Sequence, residues 1–173
     1  PGLYNQAIMD FGALQCTPAQ PRCGDCPLAG RCLALAAGTV GVRPVKQGRA
    51  KVRDRWFNYL HVTCGGQTLL HRRGGGDIWQ GLYEFPLIET DKAADFAELA
   101  ATAAFRELLG NGRWHLRRSV TMPGHQLSHQ LLHAVFHRIE CDAMPAFPSV
   151  ETAALGGYAL PRLIDRYLTK YQM

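Results

Sequence analysis

The sequence predicts an α+β protein in two parts, with a small helical module first and a larger domain built on a mixed β-sheet with flanking helices after it. Three observations support this division. Four of the six cysteines lie within seventeen residues, between positions 16 and 32. A short basic stretch follows, and after residue 56 the apolar residues form short runs bounded by turns. We therefore expect a helical module over residues 1–40, a linker over 41–55 and a sheet domain over 56–173.

The N-terminal module begins with a predicted amphipathic helix that delivers Cys16 at its end. A further helical turn is expected over residues 33–37, where Gly38 ends it. The chain begins with Pro1 rather than Met, inside this helix, which suggests a fragment of a longer protein. The apolar face of the first helix consists of Leu3, Ala7, Ile8, Phe11 and Leu14.

Each predicted strand of the second domain is a short apolar run bounded by turn residues. Gly65-Gly66 separates the first two runs and is a hairpin signal. Asp91 is the predicted N-cap of an alanine-rich helix that ends at Gly110, and Pro161 lies in the first turn of the last helix. The predicted strands cover residues 56–64, 68–72, 82–88, 114–120 and 131–141.

The net charge of +5 is concentrated in one stretch of the chain. Between Val42 and Trp56, six basic residues accompany Asp54 alone, and the remaining acidic and basic residues balance. This composition is typical of a solvated linker, and it suits a soluble connector or a phosphate-binding segment equally well. No apolar run approaches the roughly 20 residues that cross a bilayer, so we expect a soluble cytoplasmic protein. The basic residues are Arg43, Lys46, Arg49, Lys51, Arg53 and Arg55.

The cysteine loop has the spacing C-x6-C-x2-C-x5-C. Disulfides require an oxidising compartment, and the sequence has no export signal. Structural zinc usually takes two C-x2-C pairs, whereas this loop has one pair flanked by single cysteines, so a four-iron four-sulfur cluster is favoured and zinc remains the alternative. Cys64 and Cys141 are predicted to be buried free thiols. The four predicted metal ligands are Cys16, Cys23, Cys26 and Cys32.

The run Asn5-Gln6-Ala7-Ile8-Met9-Asp10-Phe11-Gly12-Ala13 and the cysteine loop after it resemble the end of the catalytic domain of two DNA glycosylase families, endonuclease III and MutY. The resemblance implies a 4Fe-4S cluster that shapes a loop facing DNA phosphates. It makes Arg22 and Arg31 candidate phosphate contacts, and neutralising the charge of the cluster is an equal alternative for both.

The second domain distinguishes the two families. Endonuclease III ends soon after its cluster, whereas MutY continues through a linker into a domain with the Nudix fold. Two segments here resemble that domain, and the resemblance to MutY then covers the whole chain. The segments are Trp79-Gln80-Gly81-Leu82-Tyr83-Glu84-Phe85-Pro86 and Ala159-Leu160-Pro161-Arg162.

A working Nudix hydrolase carries G-x5-E-x7-R-E-x-x-E-E-x-G, because its paired glutamates hold the magnesium that bridges a diphosphate. Glu98 and Arg106-Glu107 match this pattern. Gly110-Asn111 replaces the glutamate pair, and Lys92 replaces the leading glycine. We therefore expect no metal-dependent pyrophosphate hydrolysis, and a structural or solvent-facing role for the three matching residues.

In MutY proteins a loop with the sequence F-S-H recognises 8-oxoguanine, and Leu127-Ser128-His129 matches it. The resemblance implies a hydrogen bond from Ser128 to the altered edge of the base. It implies that His129 supports the loop or meets a phosphate, and that Leu127 makes an apolar contact beside a base. The four-residue spacing of His125, His129, His133 and His137 predicts ordinary strand histidines rather than a second metal site.

The resemblance implies the C-terminal part of a monomeric, bacterial A/G-specific adenine DNA glycosylase. Such an enzyme removes adenine paired with 8-oxoguanine in double-stranded DNA during base excision repair. Its catalytic glutamate and aspartate would lie upstream of Pro1, so we expect no catalytic residue and no glycosylase activity in this chain. Repair-protein partners at the linker are a further expectation. The alternatives are a Nudix pyrophosphohydrolase and a zinc-containing module that binds nucleic acid or protein.

Overall fold

The computed structural model describes residues 1–45, 51–110 and 112–171. The chain folds as two compact units, residues 1–50 and 51–173. Lys46 and Arg49 of the predicted linker and Asn111 of the Nudix motif lie outside the described residues. In the described ranges, no helix is long and apolar enough to cross a membrane.

The first unit is helical, as the periodicity predicts. Helix α1 covers Gly2–Gln15 and helix α2 covers Leu33–Ala36, with short 3-10 turns at Ala29–Arg31 and Val40–Val42. Cys16 is the C-cap of α1, and its backbone N–H donates to the carbonyl of Gly12. The helix therefore ends where the cysteine loop begins.

Among the described residues of the second unit, seven strands form a mixed sheet and two more form a separate ribbon. The strands are β1 Arg53–Cys64, β2 Gln67–Leu69, β3 His71–Arg72, β4 Tyr83–Glu84, β5 Leu87–Thr90, β6 Trp114–Thr121, β7 His125–Gln126, β8 Gln130–Cys141 and β9 Ser149–Glu151. The central strands β1 and β8 are parallel, pairing residues 53–63 with 130–140, and the other strand pairs are antiparallel. The main path runs β6-β8-β1-β2-β9, with β5 paired to β1 and β7 paired to β8, while β3 and β4 form the ribbon.

Gly65-Gly66 forms the predicted turn between β1 and β2, with φ values of 55° and 84° that favour glycine at both positions. Three strand predictions need correction. The predicted strand over 68–72 is two short strands, β2 in the main sheet and β3 in the ribbon. The predicted strand over 82–88 is two short strands, β4 and β5, separated by Phe85-Pro86. Strand β1 begins at Arg53, three residues before the predicted start, so the last residues of the basic stretch belong to the sheet.

The alanine-rich segment also differs from its prediction. It forms two helices, α3 Phe96–Ala100 and α4 Ala103–Leu109, and the N-cap is Asp95 rather than Asp91. Gly110 ends α4 with φ 56°, as predicted. A 3-10 segment covers Thr152–Gly157, and the last helix, α5, covers Arg162–Tyr171.

Helices cover both faces of the sheet, because β1 and β8 alternate their buried side chains. Phe57 and Tyr59 face one core cluster, which α5 completes with Ile164 and Tyr167. Leu60 and Val62 face the second cluster, which also includes Phe105 and Leu109 of α4. Burial on both faces explains why these two strands are apolar along most of their length.

Candidate nucleic-acid interface

The four predicted metal ligands lie around one small cavity in the first unit. Its volume is about 40 Å³, and Gln15, Pro21, Arg22, Ala29 and Leu35 complete its wall. All four cysteines are free thiols. The helix end places Cys16, and the turn at Ala29–Arg31 places Cys32, whose N–H donates to the carbonyl of Ala29.

A single zinc ion would need each sulfur within about 2.3 Å of one point. In the described part of the chain, no group of three or more His, Cys, Asp or Glu side chains has an arrangement that holds one metal ion. A cluster of four irons is larger, since each iron binds one thiolate at a corner of the group. Four cysteine side chains around a common cavity are a candidate set of ligands for a bound metal group.

The two arginines beside the cysteines differ in position. Arg22 lines the cavity, and its backbone N–H donates to the carbonyl of Gln15 at 3.0 Å. Arg31 is exposed at the end of its 3-10 turn and is not among the cavity residues. Both arginines are exposed, and they differ in that Arg22 alone of the two lines the cysteine cavity.

In the second unit, the segment that resembles the F-S-H loop is the tip of a tight hairpin between β7 and β8. The N–H of Leu127 donates to the carbonyl of Gln130 at 2.8 Å, so Ser128 and His129 are the two central turn residues. Both are exposed, whereas Leu127 is half-buried and packs against the first core cluster. The hairpin therefore presents a hydroxyl and an imidazole to solvent, with Leu127 as its anchor.

One contact from β1 and two contacts within the hairpin hold this turn. The carbonyl of His129 accepts a hydrogen bond from the N–H of Arg53 at 3.0 Å. The side chain of Gln126 donates to the carbonyls of Leu127 and Gln130, at 2.6 and 3.2 Å. The start of β1, inside the predicted linker, thus supports the hairpin through the backbone.

Arg55 is a functional candidate that the sequence did not single out. Its side chain is only 7% exposed and forms paired contacts of 2.5–2.7 Å with both Asp77 and Glu89. It also donates to Oε1 of Gln130 at 3.0 Å, at the foot of the hairpin. The hydrogen bonds to Glu89 and then Asp77 raise the pKa of Arg55, and the bond to Arg55 is the largest cause that lowers the pKa of Asp77.

These partners lie 22, 34 and 75 residues away along the chain. No local pattern relates Arg55 to them, and its basic neighbours favoured a solvated linker. The one sequence signal for the burial of Arg55 is its position two residues before Phe57 and four before Tyr59. This spacing places all three side chains on the same face of β1.

The residues that match the Nudix motif have structural contacts. Nε of Arg106 and one of its terminal nitrogens donate to the carbonyls of Thr102 and Ala101. Glu98 accepts from the N–H of Asp95 at 2.9 Å, as the second half of a capping box. Glu107 is exposed. This geometry accords with the expected structural and solvent-facing roles.

The four histidines at four-residue spacing contact different residues. His137 is buried beside Ser119, at 2.8 Å from Nδ1 to the hydroxyl oxygen. His133 contacts Asp54 at 2.7 Å and stacks on Trp56. His125 lies beside Trp79, with ring centroids 5.9 Å apart. Each has its own surroundings, and only His129 lies at the hairpin tip.

The fold and the altered motif define a Nudix-type domain without the glutamate pair that holds catalytic magnesium. A family model described as a NUDIX domain matches residues 58–170, which is more than half of the chain. The chain belongs to this NUDIX domain family.

The relatives found by sequence belong to one class of enzyme, the adenine DNA glycosylases. The chain is 32% identical over 89 residues to an adenine DNA glycosylase of Buchnera aphidicola subsp. Schizaphis graminum, which covers 51% of this chain and 26% of that protein. It is 32% identical over 111 residues to the adenine DNA glycosylase of Arabidopsis thaliana, covering 56% of this chain and 18% of that protein. The chain thus spans about a quarter or less of the length of these relatives.

Solved structures also share the fold, and two of them each overlap with most of this chain. The C-terminal domain of mouse MUTYH, solved in complex with human PCNA, has a TM-score of 0.54 and 16% identity, covering 69% of this chain and 88% of that chain. The Nudix hydrolase RenU from M. smegmatis has a TM-score of 0.51 and 13% identity, covering 73% of this chain and 86% of that chain. Together with the sequence relatives, this shared fold confirms the predicted resemblance to the C-terminal region of MutY-family proteins.

Proposed function

We propose that this chain is the C-terminal part of an adenine DNA glycosylase that removes adenine paired with 8-oxoguanine. In this proposal the chain recognises DNA and the oxidised base, and excision of adenine belongs to the rest of the enzyme. The observation that carries it is the exposed Ser128-His129 turn on a Nudix-type domain whose relatives by sequence are adenine DNA glycosylases.

The hairpin suits recognition of a base edge for a chemical reason. 8-Oxoguanine differs from guanine by an added carbonyl oxygen at C8 and an N–H at N7. A hydroxyl both donates and accepts, so Ser128 matches either group, and guanine lacks the carbonyl. Leu127 packs against the core and supports the turn, and His129 is free to meet a phosphate or the duplex edge.

A 4Fe-4S cluster in the first unit is the second part of the proposal. Cys16, Cys23, Cys26 and Cys32 would hold it, with Arg22 offsetting its charge. Bound there, the cluster would order the loop between α1 and α2 and leave Arg31 directed at solvent and DNA. Its role is structural, since adenine excision needs a general acid and no electron transfer.

The remaining proposals concern partners and location. The substrate is double-stranded DNA with an adenine:8-oxoguanine pair, met in the bacterial cytoplasm at the nucleoid by a monomer. A repair-protein partner at the linker is supported by the PCNA complex of the mouse MUTYH C-terminal domain.

The hairpin is tested by replacing Ser128 with Ala in the 173-residue chain. Binding is measured to two duplexes of one sequence that differ only in 8-oxoguanine or guanine opposite adenine. We expect the wild-type chain to prefer 8-oxoguanine, and S128A to reduce that preference by roughly 5- to 10-fold, the effect of one hydrogen bond of about 1 kcal/mol. Ser149→Ala, on β9, is the matched control and should leave the preference unchanged. Undiminished discrimination in S128A would remove Ser128 from the site.

The cluster is tested by metal analysis and absorbance. Purified under anaerobic conditions, the chain should contain iron and sulfide in equal amounts and absorb broadly near roughly 400 nm. Cys23→Ser should lower the iron content and the absorbance, because it removes one of four thiolate ligands. Cys64→Ser, on β1, is the control and should change neither. Stoichiometric zinc without that absorbance would contradict the cluster and favour a zinc module.

The Nudix hydrolase alternative makes an opposite prediction. It requires magnesium-dependent turnover of nucleoside diphosphates or triphosphates by this chain. Glu98 is committed to its capping box, and Gly110 stands where the first paired glutamate would be. We expect no such turnover, and its detection would reject the assignment to DNA recognition.

A further inference from the structure

Six basic side chains line two adjacent grooves beside helix α5. The first groove, of about 280 Å³, lies between α5 and the loop before β7, and the second, of about 400 Å³, lies between the end of α5 and strands β6 and β8. Lys170 lines both grooves and joins them into one surface. We call this surface the basic groove, and its cations are Arg117, Arg118, Arg138, Arg162, Arg166 and Lys170.

Three elements bring these residues together. Arg162, Arg166 and Lys170 are four residues apart on α5, so they share one helix face over a rise of about 12 Å. Arg138 of β8 lies directly opposite Arg118 of β6 in the sheet register. The register shift between Leu116 and Arg118 marks a bulge, which lets the consecutive side chains of residues 117 and 118 line the same groove.

Much of this charge is available to a ligand. Arg117 pairs with Glu140, and Arg162 pairs with Asp165, so six cations face two carboxylates. Within the described ranges, the other charged groups of the groove have no carboxylate oxygen within 4.0 Å.

Arg118 is held in place without losing its charge. It donates to the carbonyl of Tyr171 at 2.7 Å, and its guanidinium lies 5.3 Å from the centre of the Tyr171 ring. The bond also offsets the partial negative charge at the C-terminal end of α5. A pre-positioned arginine with open neighbours is well suited to an oxyanion.

The groove begins beside the hairpin described above. Pro123, Gly124 and His125 form its first wall, and His125 is the first residue of β7, which leads into the Leu127–Gln130 turn. Burial and then the charge of Arg166 lower the pKa of His125, which supports a positive field at this wall.

We propose that the basic groove binds successive phosphates of one DNA strand, and so extends the contact from the hairpin along the side of the domain. This proposal rests on the proposed function. A backbone suits the groove better than a free phosphate or nucleotide does, because the cations form a track longer than one phosphate and do not converge on one point. The contacts would position the domain and add affinity without distinguishing bases.

The test measures the salt dependence of duplex binding by the 173-residue chain. The double variant Arg166→Gln/Lys170→Gln removes two exposed cations of the groove, and Lys92→Gln/Arg113→Gln removes one lysine and one arginine that are exposed elsewhere. All proteins are compared on 8-oxoguanine and undamaged duplexes, and circular dichroism checks that each is folded.

We expect the groove variant to reduce the slope of log K against log salt by about 2, at roughly 0.9 per lost phosphate contact. Its affinity at about 0.1 M salt should fall about 10-fold or more, equally on both duplexes. The control variant should keep the wild-type slope. An unchanged slope in the groove variant would overturn the inference.

The two proposals fail in different ways. If the groove variant keeps the wild-type slope while 8-oxoguanine is still preferred, the groove is wrong and the proposed function stands. If the wild-type chain does not prefer 8-oxoguanine but the groove variant still lowers the slope, the proposed function is wrong and the groove stands as a DNA-binding surface.

Discussion

Arg55 connects three segments that are distant in sequence. Its guanidinium contacts Asp77, which follows Gly74-Gly75-Gly76, Glu89 on β5 and Gln130 at the foot of the hairpin. The arginine itself is buried, while the two carboxylates are about one-third exposed, at 35% and 34%. The network therefore joins a desolvated cation to partly solvated anions. Removal of the cation takes the guanidinium from Glu89, whereas Asp77 keeps its ion pair with Arg73 at 2.5 Å.

Replacement of Arg55 by Gln should destabilise the second unit by about 2 kcal/mol. Loss of one partner of a buried pair typically costs about 3–5 kcal/mol, and solvent at the two carboxylates reduces that cost. Urea unfolding measures the change. Arg53→Gln, two residues earlier on the same strand, removes an exposed charge and should alter stability by less than about 0.5 kcal/mol. Equal effects of the two substitutions would show that the network adds no stability.

At the scale of elements, the caps decide where the alanine-rich segment becomes helical. Asp95 accepts from the N–H of Glu98 at 2.8 Å, and Glu98 accepts from the N–H of Asp95, which is a complete capping box. Thr102 accepts from the N–H of Phe105 at 3.2 Å and starts α4. Alanine content favoured one long helix, but two side-chain caps compete with helix continuation and divide the segment.

Asp95→Ala should lower the free energy of unfolding by about 1 kcal/mol, because it removes an N-cap acceptor. Asp91→Ala is a matched control, since Asp91 was the N-cap that the sequence predicted and the structure places it before α3. Chemical denaturation of both variants should show a clear loss for the first and almost none for the second. The reverse order would place the helix start at Asp91 after all.

At the scale of the whole molecule, two buried histidines link stability to pH. Burial, followed by the charge of Arg138, lowers the pKa of His61 to about 4, and burial lowers the pKa of His137 to about 4. Both histidines are 2% exposed, and each bonds through Nδ1, to the hydroxyls of Tyr167 and Ser119 respectively. Both therefore fold in the neutral form.

In the unfolded chain, His61 and His137 become protonated near the ordinary histidine pKa of about 6.5. In the folded chain, they become protonated only near pH 4. Between these values the unfolded state binds more protons, so stability is complete above about pH 6.5 and falls as pH decreases toward 4. We expect a loss of roughly 3–4 kcal/mol between about pH 7 and about pH 5 in urea titrations.

His137→Asn should remove about half of that loss, because the amide stands where Nδ1 bonds Ser119 and does not titrate. His115→Asn, at an exposed position on β6, should keep the wild-type dependence. If H137N has the same slope as the wild-type chain, a group other than His137 carries the effect.

Much of the fold was predictable because its signals are local. Strand alternation, the Gly65-Gly66 turn and the helical spacing of α1 and α5 depend on neighbours within a few residues. The cysteine spacing and the altered Nudix motif were also visible along the chain, and they led to the candidate ligands and to the expected loss of hydrolysis. Errors occurred where short-range signals competed, as at Asp91 and at the start of β1.

The distribution of charge on the surface could not be predicted from the sequence alone. Counted along the chain, the excess of +5 lay within residues 43–55 and the rest was balanced. In the structure Arg55 of that stretch is neutralised and buried, while the balanced remainder collects six cations on one side of the domain. Composition sums charges regardless of where they face, whereas the register of β6 with β8 and the packing of α5 decide which charges share a surface.

The order of residues was enough to establish the family, most of the elements and the candidate cysteine ligands, because those signals are local. Which distant residues act together depended on folding, because strand register and helix packing bring them to one surface.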